Sequence, residues 1–146
     1  MNKFELLFEE IGAQIGMESL SFGDDNTCSL EFDDNVVLTF VVADTVLYCV
    51  AYLGDWNDEP AIAKKLLEAN FAWQATNGGT LAIEPGSSRV VLSRSWEGDG
   101  LTMQAMMSNI EDMVSAAETC KEMLEGATEA QTATPSMSHD DPYASV

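Results

Sequence analysis

Three strand-like runs follow one another closely, and their spacing constrains the possible folds more than any other feature of the sequence. The runs are TCSLEF (27–32), VVLTFVV (36–42) and TVLYCVAYL (45–53). The intervening residues, 33–35 and 43–44, are Asp, Asn and Ala, which is turn chemistry at hairpin spacing. We therefore predict an antiparallel meander. The middle run also carries Val37 and Val41 on its second face, so that face is either covered or left apolar for a partner.

Helical periodicity is present on both sides of the meander. Before it, residues 4–15 place apolar side chains at helical spacing with glutamates opposite, and this helix is predicted to end near Gly16. After it, a second helix is expected to have Asp58 as its cap and Pro60 in its first turn, and to stop at residues 77–79. Its apolar arc is wider than one neighbour requires, which indicates two neighbours. The arc comprises Ile62, Leu66, Leu67, Phe71 and Trp73.

A hairpin and a third helix complete the predicted domain. The hairpin covers residues 80–96, with Pro85-Gly86 at the centre of a type II turn. The helix is expected from about Leu101 to Glu125 and carries one long apolar stripe, with methionines at 103, 106, 107 and 113. Most of this stripe is expected to pack on the protein's own sheet, while its flexible thioethers also suit an adaptable surface for partners.

The predicted fold is therefore an α+β domain of order α-β-β-β-α-β-β-α, an antiparallel sheet with helices packed on it. It spans residues 1–125. Residues 126–146 lack periodicity and are rich in small and polar side chains, so a disordered C-terminal tail is expected. An alternative is that Met137 and Tyr143 fold back and shield an apolar groove until a partner displaces them.

The charge excludes several classes of partner. Twenty-five acidic residues against six basic ones give a net charge of −19, which repels nucleic acid and anionic membranes. No apolar run approaches the ~18–20 residues that cross a bilayer, and the acidic N-terminus does not resemble a secretory signal. A cytoplasmic protein is expected. The three cysteines show no CxxC spacing and are interpreted as small buried hydrophobes.

Catalytic and metal-binding patterns are almost absent from the sequence. His139 is the only histidine, which excludes a multi-histidine zinc site and a histidine-based triad. The stretch DDNTCSLEFDDN resembles a calcium loop at Asp24 and Asn26 but has Ser29 and Asn35 where glycine and glutamate are needed. We expect no catalytic residue, no metal and no cofactor, although an enzyme or ion-binding domain stays open as an alternative.

The second half of the chain resembles the Tir-chaperone (CesT) family, the class I chaperones of type III secretion. The resemblance rests on LLEANFAWQATNGGTLAIEPGSSRVVLSRSW followed by LTMQAMMSNIEDMVSAAETCKEML, and it extends over about residues 3–125. The family pattern is a helix ending in LL..NF, a glycine before an L.I strand, a V.L strand and a helix that begins with Leu. The matching positions are Leu66, Leu67, Asn70, Phe71, Gly79, Leu81, Ile83, Val91, Leu92 and Leu101.

The resemblance implies a function without chemistry. It implies a homodimer that binds the N-terminal region of a secreted effector in extended form, keeping it soluble and secretion-competent and consuming no ATP itself. It also implies the ATPase of the secretion apparatus as a further partner. The alternative of another class is a regulatory adaptor or anti-activator of the same fold, whose partner is not exported.

Two sets of residues are expected to carry these contacts. The wide arc of the second helix and the strand after it predict the dimer interface, at Leu66, Leu67, Phe71, Trp73, Leu81 and Ile83. The first helix has more large apolar area than its length needs, so it and the meander are expected to bind the effector. The effector-binding residues are expected to be Phe4, Leu7, Phe8, Ile11, Leu30, Phe32, Leu38 and Phe40.

Overall fold

A computed structural model describes residues 4–16, 20–32 and 35–132, without the side chains of residues 127–132. The predicted order of helices and strands is confirmed, with one short 3₁₀ turn in addition (Phe71–Trp73). The elements are α1 (Glu5–Ile15), β1 (Thr27–Phe32), β2 (Val36–Ala43), β3 (Val46–Asp55), α2 (Pro60–Ala69), β4 (Thr80–Ile83), β5 (Arg89–Glu97) and α3 (Met103–Thr132).

The five strands form one antiparallel sheet in the order β1-β2-β3-β5-β4. Alternate residues of β2 and β3 are buried in the core with the apolar side chains of the helices. These residues are Val36, Leu38, Phe40, Val42, Leu47, Cys49, Ala51 and Leu53. The opposite face of the sheet carries no helix among the described residues, and Val37 there is 48% exposed. Within the described ranges, the second face of the middle strand is therefore left uncovered.

Most of the apolar stripe of α3 belongs to the core, as predicted. Met106 and Met113 are fully buried, while Met103 and Met107 are only half-buried. The cysteines Cys28, Cys49 and Cys120 are free and buried, and desolvation raises the pKa of each thiol.

The third helix ends later than the sequence analysis expected. It continues past Glu125 to Thr132, so the assignment of residues 126–132 to a disordered tail is wrong. Ala, Glu and Gln follow Gly126, and these good helix formers outweigh the cost of about 1 kcal/mol of a single helical glycine. The rest of the expected tail, with Met137, His139 and Tyr143, lies outside the described residues.

The predicted roles of Gly16, Gly86 and Pro60, the first residue of α2, are confirmed, whereas that of Asp58 is not. Gly16 caps α1 with a φ of +82°. Gly86 has a φ of +81°, and the N–H of Ser87 donates to the carbonyl of Glu84, as a type II turn requires. Asp58, however, has a φ of +53°, and the N-cap of α2 is Glu59.

The second helix stops at Ala69, well before the predicted end at residues 77–79. The side chain of the next residue, Asn70, forms two hydrogen bonds with the main chain of Leu81 in β4. Asn70 Nδ2 donates to the Leu81 carbonyl at 2.9 Å, and the Leu81 N–H donates to Asn70 Oδ1 at 2.8 Å. Because β4 is an edge strand, this amide also covers backbone groups that would otherwise be open to another chain.

Replacing Asn70 by alanine is expected to destabilise the protein by about 1–3 kcal/mol, because the partly buried Leu81 N–H and C=O lose their partners. Chemical denaturation measures the change in the free energy of unfolding. Asn109→Ala is a matched control, because that residue is half-buried in α3 and no side-chain hydrogen bond is found for it. Equal stability of the two variants would contradict the proposed role of Asn70.

Candidate partner-binding surfaces

The described residues offer apolar surface rather than a cluster of chemical groups. Among them, no group of three or more His, Cys, Asp or Glu side chains is arranged to hold a metal ion. No helix within the same residues is both long and apolar enough to cross a membrane. Besides the helix-free face of the sheet and the single exposed Leu6 of α1, uncovered apolar side chains of the described residues lie in two places, one at the end of α2 and one along α3.

The first place, which we call the α2 patch, consists of Leu67, Phe71 and Trp73. Their side chains are 73%, 85% and 57% exposed. Burial of one large apolar side chain is worth about 1.5–3 kcal/mol, so three exposed ones within seven residues of the chain leave a substantial driving force unused in the protomer. A patch of this kind is typical of a protein–protein interface.

The α2 patch is held in place by the local backbone. Ala72 and Trp73 both have left-handed φ angles, +58° and +55°, which cost roughly 1–2 kcal/mol per non-glycine residue. Hydrogen bonds within the loop hold this conformation. The Gly78 N–H donates to the Trp73 carbonyl at 3.0 Å, and the hydroxyl of the fully buried Thr76 donates to the Gly79 carbonyl at 2.6 Å. Strain of this kind is found where function demands a particular geometry.

The predicted dimer-interface residues thus divide into two groups. Leu67, Phe71 and Trp73 are exposed. Leu66 and Leu81 are buried in the core of the protomer, and Ile83 is half-buried against it, so these three support the patch from beneath. Helical spacing identified the arc, but it did not separate the side that packs on β4 from the side that faces outward.

The second place, which we call the α3 groove, runs along α3 beside the end of α1 and the end of β1. Its apolar lining comes from Ile11, Ile15, Phe32, Met103, Met107, Ile110 and Val114. Acidic side chains, Glu111 and Glu118, lie along it. The half-buried Met103 and Met107 are thioethers that can adapt to differently shaped side chains.

The edge of β1 next to the α3 groove is open. Val42 donates its N–H to the Asn26 carbonyl, so the main-chain N–H and C=O groups of the even-numbered residues of β1 bond to β2. Those of the odd-numbered residues point outward from the edge of the sheet. The main chain of Thr27 is occupied by Gly23 and by Asp25. At Ser29 and Glu31, no strand within the described ranges lies alongside. An extended peptide can therefore pair with β1 here and place alternate side chains toward Phe32 and the groove.

The effector-binding prediction needs a correction. Five of its eight residues are buried inside the protomer and offer no free surface, namely Phe4, Phe8, Leu30, Leu38 and Phe40. Ile11 is also buried but lines the α3 groove. Leu7 is half-buried against the core, and the half-buried Phe32 lines the groove. The apolar stripe of α1 packs on its own sheet, where the ring of Phe8 lies 5.0 Å from that of Phe40 in an edge-to-face arrangement.

The sequence did not assign Ile15, Ile110 or Val114 to a binding surface, and it gave Met107 only as part of a stripe expected mostly to pack on the sheet. The methionine stripe was the available indication, because Met107 lies one residue from the buried Met106 and therefore toward the edge of the stripe. The exposed Leu6, at 63%, was also missed, because it lies off the apolar face of α1.

Comparison with known proteins places the chain among secretion chaperones. Residues 6–121 match the model of the Tir chaperone protein (CesT) family. A Tir chaperone of Escherichia coli O111:H- is 29% identical over 120 residues, which cover 80% of this chain and 76% of that protein. The ExsC–ExsE complex contains a similar chain, with a TM-score of 0.70 and 21% identity over 82% of this chain and 91% of that one. The HopA1–SchA chaperone–effector complex gives 0.66 and 17% over 80% and 91%. At these identities, the two structures establish the fold alone.

Proposed function

The chain belongs to the Tir chaperone protein (CesT) family, and from this premise we propose that it is a type III secretion chaperone whose client is the N-terminal region of a secreted effector. The client is kept soluble and competent for secretion while it is bound. No step of this function requires catalysis. Binding of an extended chain needs apolar pockets and an open strand edge, and the protein has both on the same side of the sheet.

The observation that carries this proposal is the adjacency of the open β1 edge and the α3 groove. A client segment that pairs with Ser29 and Glu31 gains main-chain hydrogen bonds that are independent of its sequence. Its apolar side chains then enter the groove at Phe32, Met107 and Ile110. The acidic side chains of the groove favour clients with basic residues beside the apolar ones, since opposite charges across an interface set the register.

The working form of the chaperone is proposed to be a homodimer assembled through the α2 patch. Two copies related by a two-fold axis bury the same patch on each side, which removes all three exposed side chains from water. The α3 groove and the β1 edge are lined by other elements than the patch. Each protomer therefore keeps its own client site, and one client can run across both.

Met107→Glu is expected to weaken client binding about tenfold or more, because it places a charge in an apolar groove beside Glu111. Isothermal titration calorimetry with the first ~100 residues of a co-purifying effector measures the change. Met123→Glu is the matched control, since Met123 is also half-buried on α3 but does not line the groove. Denaturation of both variants shows whether their folding differs. If Met123→Glu weakens binding as much as Met107→Glu, the groove is not the client site.

The adaptor alternative is separated by the fate of the partner. In the native host, deletion of the chaperone is expected to lower the amount of its partner in the secreted fraction and the stability of that partner in the cell. A partner that stays in the cell with and without the protein would instead support a regulatory adaptor.

A further inference from the structure

Strand β5 continues beyond the end of its neighbour β4. The register pairs Thr80 with Ser93, and β5 runs on to Glu97. Within the described part of the chain, no strand lies beside this extension on the β4 side. The Glu84 N–H donates to the Arg89 carbonyl at 2.8 Å, so the odd-numbered residues of β5 face β4. The N–H and C=O of Ser95 therefore point into the space that precedes Thr80, the first residue of β4.

A polar pocket of about 290 Å³ occupies this space. It is lined by Tyr48, Gly78, Thr80, Ser93, Arg94 and Ser95. By strand alternation, the side chains of Tyr48, Ser93 and Ser95 lie on the helix-free face of the sheet, whereas that of Arg94 lies on the other face. The pocket is therefore bordered by hydrogen-bond donors from both faces. The pocket lies near the β4 edge of the sheet, opposite to the open β1 edge, because β1 and β4 are the two outermost strands.

Arg94, which lines this pocket, is one of only two arginines in the chain, which has twenty-five acidic residues. Arg89 is paired with the carboxylate of Glu84 at 2.8 Å. Arg94 instead donates to the main-chain carbonyl of Asn77 at 3.0 Å and lies 5.2 Å from the centroid of the Trp96 ring. No described carboxylate forms an ion pair with it, although its planar fork has donors for one.

The main chain before β4 lies directly against this guanidinium. A Cβ at Gly78 would be in van der Waals contact with Arg94 Cζ, at 3.4 Å, and the adjacent Asn77 carbonyl accepts the hydrogen bond from Arg94. The loop before β4 and the end of β5 therefore hold the positive charge beside an unused strand edge. A positive charge and an unpaired strand edge are the two features that bind an extended peptide with an acidic side chain.

We propose that this notch binds an extended segment of a partner protein by pairing with the main chain of Ser95, and that Arg94 receives an Asp or Glu side chain of that segment. This inference rests on one part of the proposed function, namely that the client binds in an extended conformation. Because the protein carries a net charge of −19, a positive group beside a strand edge favours an acidic residue at that position of a client.

A titration of the full-length protein with blocked peptides tests the notch without any effector. The probes are Ac-Thr-Val-Asp-Val-Thr-NH2 and the same peptide with Asn in place of Asp. Two-dimensional NMR of the ¹⁵N-labelled protein is expected to show saturable shifts of the Gly78, Thr80 and Ser95 amides at millimolar peptide. The Asn peptide is expected to bind about fivefold more weakly, the upper range for an exposed charge pair.

Two variants with the same change in charge assign the preference. Arg94→Gln is expected to bind both peptides equally, whereas Arg89→Gln retains the preference for Asp. The proposal is overturned if neither peptide gives saturable shifts, if both bind the native protein equally, or if the preference survives in Arg94→Gln. It is also overturned if Arg94→Gln lowers the molecular mass in solution, since the notch then serves self-association. These measurements do not involve the α3 groove, so a negative result at the notch would not contradict the proposed client site.

Discussion

Phe71→Asp is expected to convert the proposed homodimer into a monomer. Phe71 is the most exposed large apolar side chain of the described residues, at 85%, and it lies between Leu67 and Trp73 in the α2 patch. In a two-fold interface the substitution introduces two unpaired charges, one from each protomer. An uncompensated buried charge costs about 3–5 kcal/mol, so even one of the two raises the dissociation constant by at least about a hundredfold.

Light scattering and sedimentation at micromolar concentration measure this change directly. The fold of the protomer is expected to survive, because the Phe71 ring contributes almost nothing to the core. Leu6→Asp is the control: Leu6 is 63% exposed on α1, away from the α2 patch, and the substitution introduces the same charge. Retention of the dimer in Phe71→Asp, or its loss in Leu6→Asp, would mean that the interface lies elsewhere.

Phe40→Ala is expected to destabilise the protein by about 3–5 kcal/mol, because the side chain is fully buried beneath α1 and its removal leaves a cavity. This is a large fraction of the 5–15 kcal/mol that typically stabilises a domain. The result would distinguish a core role from the contact role that sequence analysis gave to Phe40. Denaturant unfolding of the isolated protein, followed by far-UV circular dichroism, measures the loss.

Val41→Ala on the same strand provides the comparison. Val41 is only half-buried and faces the helix-free side of the sheet, so a cost near 1 kcal/mol is expected from the smaller loss of apolar contact. If Phe40→Ala and Val41→Ala are equally mild, the helices do not cover the sheet as described here.

The order of the elements could be predicted because it depends on local chemistry. The Asp, Asn and Ala residues between the strand-like runs restrict the chain to tight turns, and the strands begin and end within two residues of the predicted positions. Gly16 and Gly86 take the positive φ angles that their positions require. These preferences are properties of short segments, and they hold whatever the rest of the chain does.

Two errors arose where a tertiary contact or continued helix propensity overrode a local indication. The second helix stops at Ala69 because Asn70 binds Leu81, eleven residues further along the chain. The third helix passes through Gly126, although a glycine at that point favours an end. The first outcome depends on a residue distant in the chain, whereas the second follows from the helix propensity of the residues after Gly126.

The functional surfaces depended most strongly on the tertiary structure. Periodicity shows which side chains share a face of their own helix or strand, and it did so correctly for α1 and for the stripe of α3, whereas Phe71 and Trp73 of the predicted α2 arc lie beyond the end of that helix. It does not show which faces the other elements cover. Phe8 and Phe71 are both apolar residues on a predicted interacting face, yet one is fully buried and the other is 85% exposed. The sequence by itself determined the elements and their apolar faces, whereas only the packed sheet and helices decided which apolar side chains remain in contact with water, because exposure is set by neighbours that are distant in the chain.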